Sequence, residues 1–164
     1  IQGRKEDSKT SFSRFPKKES EYSLFYVLYQ LIELLISKVL IFEFKKQVLT
    51  IDWDETNLFD KNDSINKAIS EKSRIKALFN TYSNPDNGKV ENLSNVCRNF
   101  LLSSNYDTET TLKDKTCVDY FYRVRCCLVH SLYKYDTSTA GLLANVNKCF
   151  LDVIMDILLT FKEN

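Results

Sequence analysis

The feature of this sequence that most restricts its fold is the scarcity of glycine and proline. The 164 residues include only three glycines and two prolines. All-β folds use both residues at many turns, so the sequence disfavours them and favours helices joined by short connections. A glycine-rich phosphate loop is also excluded, because it needs clustered glycines to let backbone amides approach a phosphate.

Length and composition indicate a single globular domain. Hydrophobic residues make up 43% of the chain and charged residues 27%, which is the balance of a folded protein and not of a disordered one. The formal net charge is +1. Because this charge creates no strong overall field, any contact with RNA has to be local.

Apolar residues at spacings of three and four predict about five helices. We expect them at 19–46, 64–82, 89–103, 112–133 and 140–162. The sequence therefore predicts an all-α bundle, with a flexible N-terminal tail over 1–18 and one helical domain over 19–164. Aromatic and β-branched residues between 39 and 53 could instead form a short extended stretch, so an α+β variant stays open.

Short polar motifs predict where the helices begin and end. The tract Asn62–Ser64 offers N-cap residues for the second helix. Asn84–Gly88 is the clearest turn, because proline and glycine supply the dihedral angles that a turn needs. Thr111 with Asp114 resembles a capping box at the start of the fourth helix.

The first predicted helix is apolar over most of its length. Its expected core positions are Leu24, Val27, Leu28, Leu31, Leu34, Leu35 and Val39. A membrane span is the less favoured alternative, because Gln30, Glu33 and Lys38 fall in the middle, where charge is costly in lipid. We expect this helix to be buried on more than one side, in the bundle or against a second copy of the chain.

The cysteines indicate a reduced, cytoplasmic protein. There are five, at Cys97, Cys117, Cys126, Cys127 and Cys149. None is in C-x-x-C spacing and the chain has a single histidine, so we expect no zinc site and no cofactor. Cys97 and Cys149 lie among apolar residues and are expected to fill the core.

The residues best suited to chemistry lie together between Tyr120 and Ser131. This tract holds the single histidine, His130, together with Arg123 and Arg125. Histidine exchanges protons near neutral pH, and arginine is a permanent planar cation that suits phosphate oxygens. This pair of residue types is what phosphodiester cleavage without a metal requires.

In this tract Arg125 is followed by four residues and then by His130, late in the predicted bundle and before one more helix. This arrangement resembles the signature of the HEPN family (higher eukaryotes and prokaryotes nucleotide-binding). The resemblance implies a dimer in which the motifs of two copies form one RNase site. It also implies that Arg125 and His130 catalyse attack of the RNA 2′-hydroxyl on its neighbouring phosphate, with no metal. Three positions depart from the family pattern: Cys126 and Cys127, where many members have a polar residue, and Ser131, where many have glycine.

Helix geometry leaves the choice of arginine open. Residues five apart on a straight helix differ by about 140°, so Arg125 and His130 do not share a face, whereas Arg123 and His130 nearly do. We favour Arg125 for catalysis, with support or RNA binding assigned to Arg123, Cys126, Cys127, Ser131 and Tyr133. Tyr120 and Tyr122 are further candidates for stacking on RNA bases.

The leading functional hypothesis is a metal-independent endoribonuclease of the toxin or defence type, with RNA as substrate and an antitoxin or regulatory protein as a further partner. The alternative is a non-catalytic helical module that binds a nucleotide, RNA or a protein. In that case His130 would be a half-buried structural residue. A cysteine nucleophile, Cys127 activated by His130 three residues away, is a third and weaker reading.

Overall fold

The structure is a computed structural model that describes residues 17–50, 58–130 and 139–161. Within these ranges the chain forms helices and no strand, which confirms the all-α prediction. The helices are α1 (Lys17–Thr50), α2 (Leu58–Ile69), α3 (Glu71–Tyr82), α4 (Lys89–Ser103), α5 (Glu109–Leu112), α6 (Cys117–His130) and α7 (Ala140–Thr160). Since α5 is a single turn, the bundle consists of the six longer helices.

An aromatic cluster in the core joins four of these helices. The ring of Phe121, on α6, lies 4.5 Å from Phe150 of α7 and 5.7 Å from Phe79 of α3, measured between ring centroids. From α1, Phe25 and Tyr29 approach the same ring at 6.1 and 5.8 Å. Around this cluster α1 packs on α2, α3 and α7, and α4 packs on α6 and α7.

The helix predicted at 64–82 is wrong, because two helices occupy this part of the chain. Ser70 separates α2 from α3 with extended backbone angles (φ −63°, ψ 141°), and its hydroxyl accepts a hydrogen bond from the Ser73 N–H. An N-cap serine ends one helix and starts the next in this way. The expected N-cap at Asn62–Ser64 is also wrong, since these residues lie inside α2.

The expected capping box at Thr111 and Asp114 is displaced. Thr108 caps α5, and its side chain and that of Thr111 each accept from the other residue's backbone N–H. Asp114 has a positive φ of 58° and lies between helices. As a result α6 begins at Cys117, five residues later than predicted, and of the predicted 112–133 helix the residues 131–133 lie outside the described residues.

Helix α1 is longer than predicted at both ends. It starts at Lys17, so the last two residues of the expected tail are helical, and residues 1–16 lie outside the described residues. It remains helical to Thr50, so the alternative extended stretch does not occur over 39–50. By length and composition, its segment Glu19–Phe42 could cross a membrane, and 33% of the most apolar window is buried inside the bundle.

The buried face of α1 differs from the predicted one. Its core positions are Phe25, Leu28, Tyr29, Ile32, Ile36 and Val39. Of the predicted core positions, Leu24, Val27, Leu31 and Leu34 are 39–66% exposed. The prediction failed because apolar residues occupy two stripes of this helix, and spacing alone does not indicate which stripe meets the core.

The turn between α3 and α4 is fastened to α7 by one carboxylate. As predicted, Asn84–Gly88 forms a tight turn, in which Gly88 adopts a left-handed φ of 67°. The Asp156 carboxylate accepts from the Asn84 N–H at 2.7 Å, from Asn87 Nδ2 at 2.8 Å and from Lys89 Nζ at 3.0 Å. Burial alone would raise the pKa of Asp156, but these donors outweigh it and lower that pKa.

We expect Asp156→Ala to lower the free energy of unfolding by about 2–3 kcal/mol at neutral pH, because it leaves several partly buried donors without an acceptor. Asp152→Ala is the matched control, since Asp152 is an exposed aspartate on the same helix. Urea denaturation measures both effects. Equal losses in the two variants would contradict this role of Asp156.

Candidate functional site

The start of α6 is fixed by a capping box that the sequence did not reveal. The Thr116 N–H donates to Asp119 Oδ2 at 2.8 Å, and the Asp119 N–H donates back to Thr116 Oγ1 at 3.4 Å. Asp119 also forms an ion pair with Lys72 of α3. Burial would raise the pKa of Asp119, but the hydrogen bonds from Lys72 and Thr116 outweigh it and lower that pKa to about 2.

From this cap α6 continues without interruption to His130, and its inner face fixes the direction of every candidate side chain. Val118, Phe121, Val124 and Leu128 are buried in the core at spacings of three and four. The helix is therefore locked in rotation, and the remaining residues point toward α1 and α3, toward α4, or outward. No local distortion of α6 near the cysteines brings Arg125 and His130 onto one face.

Arg125 points toward α1 and α3. Its guanidinium lies 5.7 Å from the centre of the Tyr29 ring and 6.0 Å from that of Tyr122. Its Nη2 is 3.7 Å from Glu71 Oε1, and this oxygen already accepts the Tyr29 hydroxyl at 2.6 Å. At 3.7 Å the arginine and the carboxylate attract each other without a hydrogen bond.

Arg123 points toward the loop between α4 and α5, where it is held more firmly. Its Nε donates to Asp107 Oδ2 at 2.5 Å, and its Nη2 donates to Asp107 Oδ1. The carboxylate side chain of Asp107 is only 2% exposed, so the pair is bidentate and its anion is buried. Such geometry is typical of an arginine that holds a fold together.

Arg123 and Arg125 differ in what would be lost if each side chain moved away from its acidic partner. If Arg123 moved away from Asp107, the buried carboxylate would lose its cation. Moving Arg125 away from Glu71 would break no hydrogen bond, and Glu71 would keep its bond from Tyr29. Of the two, Arg125 thus has fewer hydrogen bonds to lose if it turns to another anion.

His130 is the last residue of α6 and is exposed. The prediction that it could be a half-buried structural residue is therefore wrong. It lies about 140° around the helix from Arg125 and ~7.5 Å along it, and about 20° and ~10.5 Å from Arg123. One chain consequently presents His130 to solvent and Arg125 toward its own α1 and α3, and it does not bring the two together.

The cysteines of this tract do not form a nucleophilic site. Cys127 is buried beside α4, and burial raises the pKa of its thiol to about 11, against a smaller opposing effect of a hydrogen bond with Ser104. A protonated, buried thiol is a poor nucleophile, which contradicts the reading of Cys127 with His130 as a catalytic pair. Cys126 is partly exposed. No group of three or more histidine, cysteine, aspartate or glutamate side chains that could hold a metal occurs in the described part of the chain.

The aromatic candidates for RNA stacking have other partners. Tyr120 is buried, and its hydroxyl donates to the Leu112 carbonyl at 3.0 Å, so it cannot stack on a base. Tyr122 is half-buried against Arg125. Ser131 and Tyr133 lie outside the described residues.

Sequence reasoning missed the acidic partners of both arginines. Glu71 belongs to a charged run that looks like solvated surface, and Asp107 belongs to a polar loop. One available signal was Ser70 before Glu71, because a serine N-cap followed by an acidic residue is typical of a helix start. That signal could have placed Glu71 at the first turn of α3, but not beside Arg125.

No protein-family model, no curated protein and no solved structure matches this chain. The likeness to the HEPN signature therefore depends on the spacing of Arg125 and His130 and on the helical bundle around them.

We expect Arg123→Met to lower the free energy of unfolding by about 2–3 kcal/mol, because it leaves the Asp107 carboxylate buried and uncompensated. Arg125→Met should lower it by about 1 kcal/mol, through loss of its contacts with the tyrosine rings and the attraction of Glu71. Urea denaturation of the two variants measures the difference. A larger loss for Arg125→Met would contradict the assignment of Arg123 as the structural arginine.

The Asp119 cap makes stability depend on pH. Its pKa of about 2 in the folded chain lies below the ~3.9 of an unfolded aspartate, so its contribution is present above about pH 4 and is lost as the pH falls toward 2. We expect Asp119→Ala to lower the free energy of unfolding by about 1 kcal/mol at pH 7. The gap between variant and wild type should shrink as denaturation curves are recorded at successively lower pH. A gap that stays constant down to the lowest pH would contradict a contribution from the ionised carboxylate.

Proposed function

We propose that this chain is a metal-independent endoribonuclease domain of the HEPN type, which acts in the cytoplasm as a homodimer. The observation that carries the proposal is the exposure of His130 at the end of the helix that also holds Arg125. An exposed imidazole can reach the ribose of a bound RNA. The all-helical bundle and the order of arginine, histidine and a following helix α7 agree with the family resemblance.

The proposed reaction forms one bond and breaks one. His130 takes the proton of the RNA 2′-hydroxyl, and the 2′-oxygen attacks the neighbouring phosphorus. The bond from phosphorus to the 5′-oxygen then breaks, and the leaving oxygen receives a proton from His130 of the second copy. The products are a 2′,3′-cyclic phosphate end and a 5′-hydroxyl end, so the protons balance without a metal.

Arg125 is proposed to stabilise the negative charge that builds on the phosphate oxygens. Because its contact with Glu71 is longer than a hydrogen bond, the guanidinium can exchange this carboxylate for a phosphate. The 140° between Arg125 and His130 on one helix is the reason to place the reacting phosphate between two copies. Both copies would then supply their His130, and Arg125 of one copy would approach the phosphate from a different direction than His130 of the other.

The net charge of +1 indicates how such an enzyme would meet RNA. With little overall attraction, RNA binding would be weak until the dimer or another protein positions the substrate. An RNase that is active in the cytoplasm must also be inhibited by another molecule, since it would otherwise cleave the RNA of its own cell. A toxin or defence-type role, with an antitoxin or regulatory protein partner, therefore belongs to the same proposal.

A second candidate is a non-catalytic helical module that binds a nucleotide, RNA or a protein. The observation that favours it is the pairing of both α6 arginines with carboxylates of their own chain. In a binding module Arg125 would stay with Glu71, Tyr29 and Tyr122 as part of the packing of α6. The exposed His130 would then have no role in catalysis.

The test is cleavage of mixed RNA in excess EDTA by wild type, His130→Ala and Arg125→Ala. We expect the wild type to cut, and each variant to be slower by a factor of about 10²–10⁴, the usual contribution of general acid–base or electrostatic catalysis. Mass spectrometry should find 2′,3′-cyclic phosphate ends in the product.

Arg98→Ala is the matched control for the loss of a partly exposed arginine, because Arg98 of α4 forms an ion pair with Glu109 of α5 and has no part in the proposed reaction. It should cut like wild type. An inactive wild type, or variants that cut at the wild-type rate, would contradict the enzyme and favour the binding module. Glu71→Gln separates the roles of Arg125 further, since it should leave cleavage intact if the guanidinium acts on the phosphate.

A further inference from the structure

Helix α1 carries a second, regular apolar stripe that the bundle leaves in solvent. Leu24, Val27, Leu31, Leu34 and Ile41 are 39–66% exposed. With the exposed Lys38 they follow spacings of three, four, three, four and three, which are the a and d positions of a heptad repeat. This pattern is the signature of a helix that packs lengthwise against another helix. We call these six residues the α1 seam.

Helix α7 extends this apolar surface. Leu151, Met155 and Leu158 are 45–49% exposed and lie about one turn apart. The side of α7 that meets α1 is marked by Asn147, whose Nδ2 donates to the Glu21 carbonyl and carboxylate. Leu151 and Leu158 lie within about 40° of Asn147 around α7, so they border the junction with α1.

On α1, the seam borders the same junction between α1 and α7. Leu24 and Leu31 lie roughly 60–80° from Glu21, in the direction opposite to Tyr29, which bonds to α3. Glu21 lies beside Asn147 and Phe25 beside Phe150, so the two helices run in the same direction here, and the seam and the exposed residues of α7 lie on the same side. Their exposed apolar area, on the order of 800 Å² with the flanking Leu159, is about what each partner buries in a standard-size interface.

We propose that the α1 seam is a docking surface for the same helix of a second copy of this chain, in antiparallel orientation. The g positions beside the seam are Ser23, Gln30 and Ser37, so no like charges oppose pairing with an identical helix. Lys38 sets the orientation. In a parallel pair the two Lys38 side chains would face each other, whereas in an antiparallel pair centred between Leu31 and Leu34 each Lys38 lies opposite Val27, ~16 Å along the axis from its equivalent.

A lipid surface is a poorer occupant for the same stripe. Lys38 lies within the seam, and Glu33 is exposed beside it. Moreover, the opposite face of α1, with Phe25, Ile32 and Ile36, is buried in the core of the bundle. To span a membrane, α1 would have to leave this core. A helical partner needs neither change. The spacing of three and four is kept along the whole seam, as pairing with another helix requires.

This contact is independent of the proposed RNase site. Tyr29, which meets Arg125 of α6, lies on the side of α1 opposite to the seam. Pairing through α1 therefore leaves the outer face of α6 uncovered, and both contacts can exist in one assembly.

The experiment is sedimentation equilibrium of the full chain over a wide concentration range. We expect the wild type to self-associate through α1, and Leu31→Glu/Leu34→Glu to weaken this association step by at least ~100-fold, as loss of central apolar anchors does. Because both leucines are exposed, the circular dichroism spectrum of the variant should match wild type. Tyr26→Glu is the matched control, since Tyr26 is 50% exposed on the same helix but lies about 120° from the seam, and it should dimerise normally.

Cross-linking tests the orientation. A mixture of Val27→Cys and Lys38→Cys chains should form disulfide-linked heterodimers in an antiparallel pair, whereas Lys38→Cys alone should cross-link only in a parallel one. Wild type treated in the same way controls for the native cysteines. A monomeric wild type, self-association that is as strong in Leu31→Glu/Leu34→Glu as in wild type, or flotation of wild type with phosphatidylcholine vesicles through these leucines would overturn the proposal. RNA cleavage by a seam variant that has lost pairing through α1 would leave the enzyme proposal standing, because that proposal needs only pairing through α6, so the two can fail separately.

Discussion

The packing of the Phe121 ring against Phe25, Tyr29, Phe79 and Phe150 is the interaction on which the rest of the structure depends. These rings come from four different helices, so one side chain of α6 sets the positions of α1, α3 and α7 around it. Once Phe121 is buried, the rotation of α6 is determined. The directions of the arginines and His130 follow from it, which makes the geometry of the candidate site a consequence of core packing.

The sequence predicted the helices best where the apolar period was single and the ends were marked. Helices α4 and α7 follow the prediction closely, and α4 carries one apolar stripe and begins after a turn with proline and glycine. The break at Ser70 was missed, because a serine inside a periodic run is as common on a helix surface as at a helix start. In α1 the period was right but the face was wrong, since only contacts with α3 and α7 distinguish its two apolar stripes.

For the candidate site, the sequence indicated which residues could do chemistry but not what holds them. The single histidine and the two nearby arginines were found from residue type and spacing. Their partners Asp107 and Glu71 come from other parts of the chain, and ion pairs between distant segments leave no local pattern. The exclusion of Cys127 as a nucleophile is of the same kind, because burial is a property of the whole fold and not of a tract.

The hydrogen bond between Asn147 and Glu21 spans 126 residues of chain, and it has a consequence for how the protein is made. Since α1 pairs with α7, a nascent chain that ends before Ala140 cannot cover Phe25 and Phe121 with Phe150. Contacts of such high sequence separation form late and slow the folding of a domain. During synthesis the apolar side of α1 therefore stays uncovered by α7 until more than a hundred further residues have been added. In that time chaperones, or a neighbouring nascent chain on the same messenger RNA, can bind it.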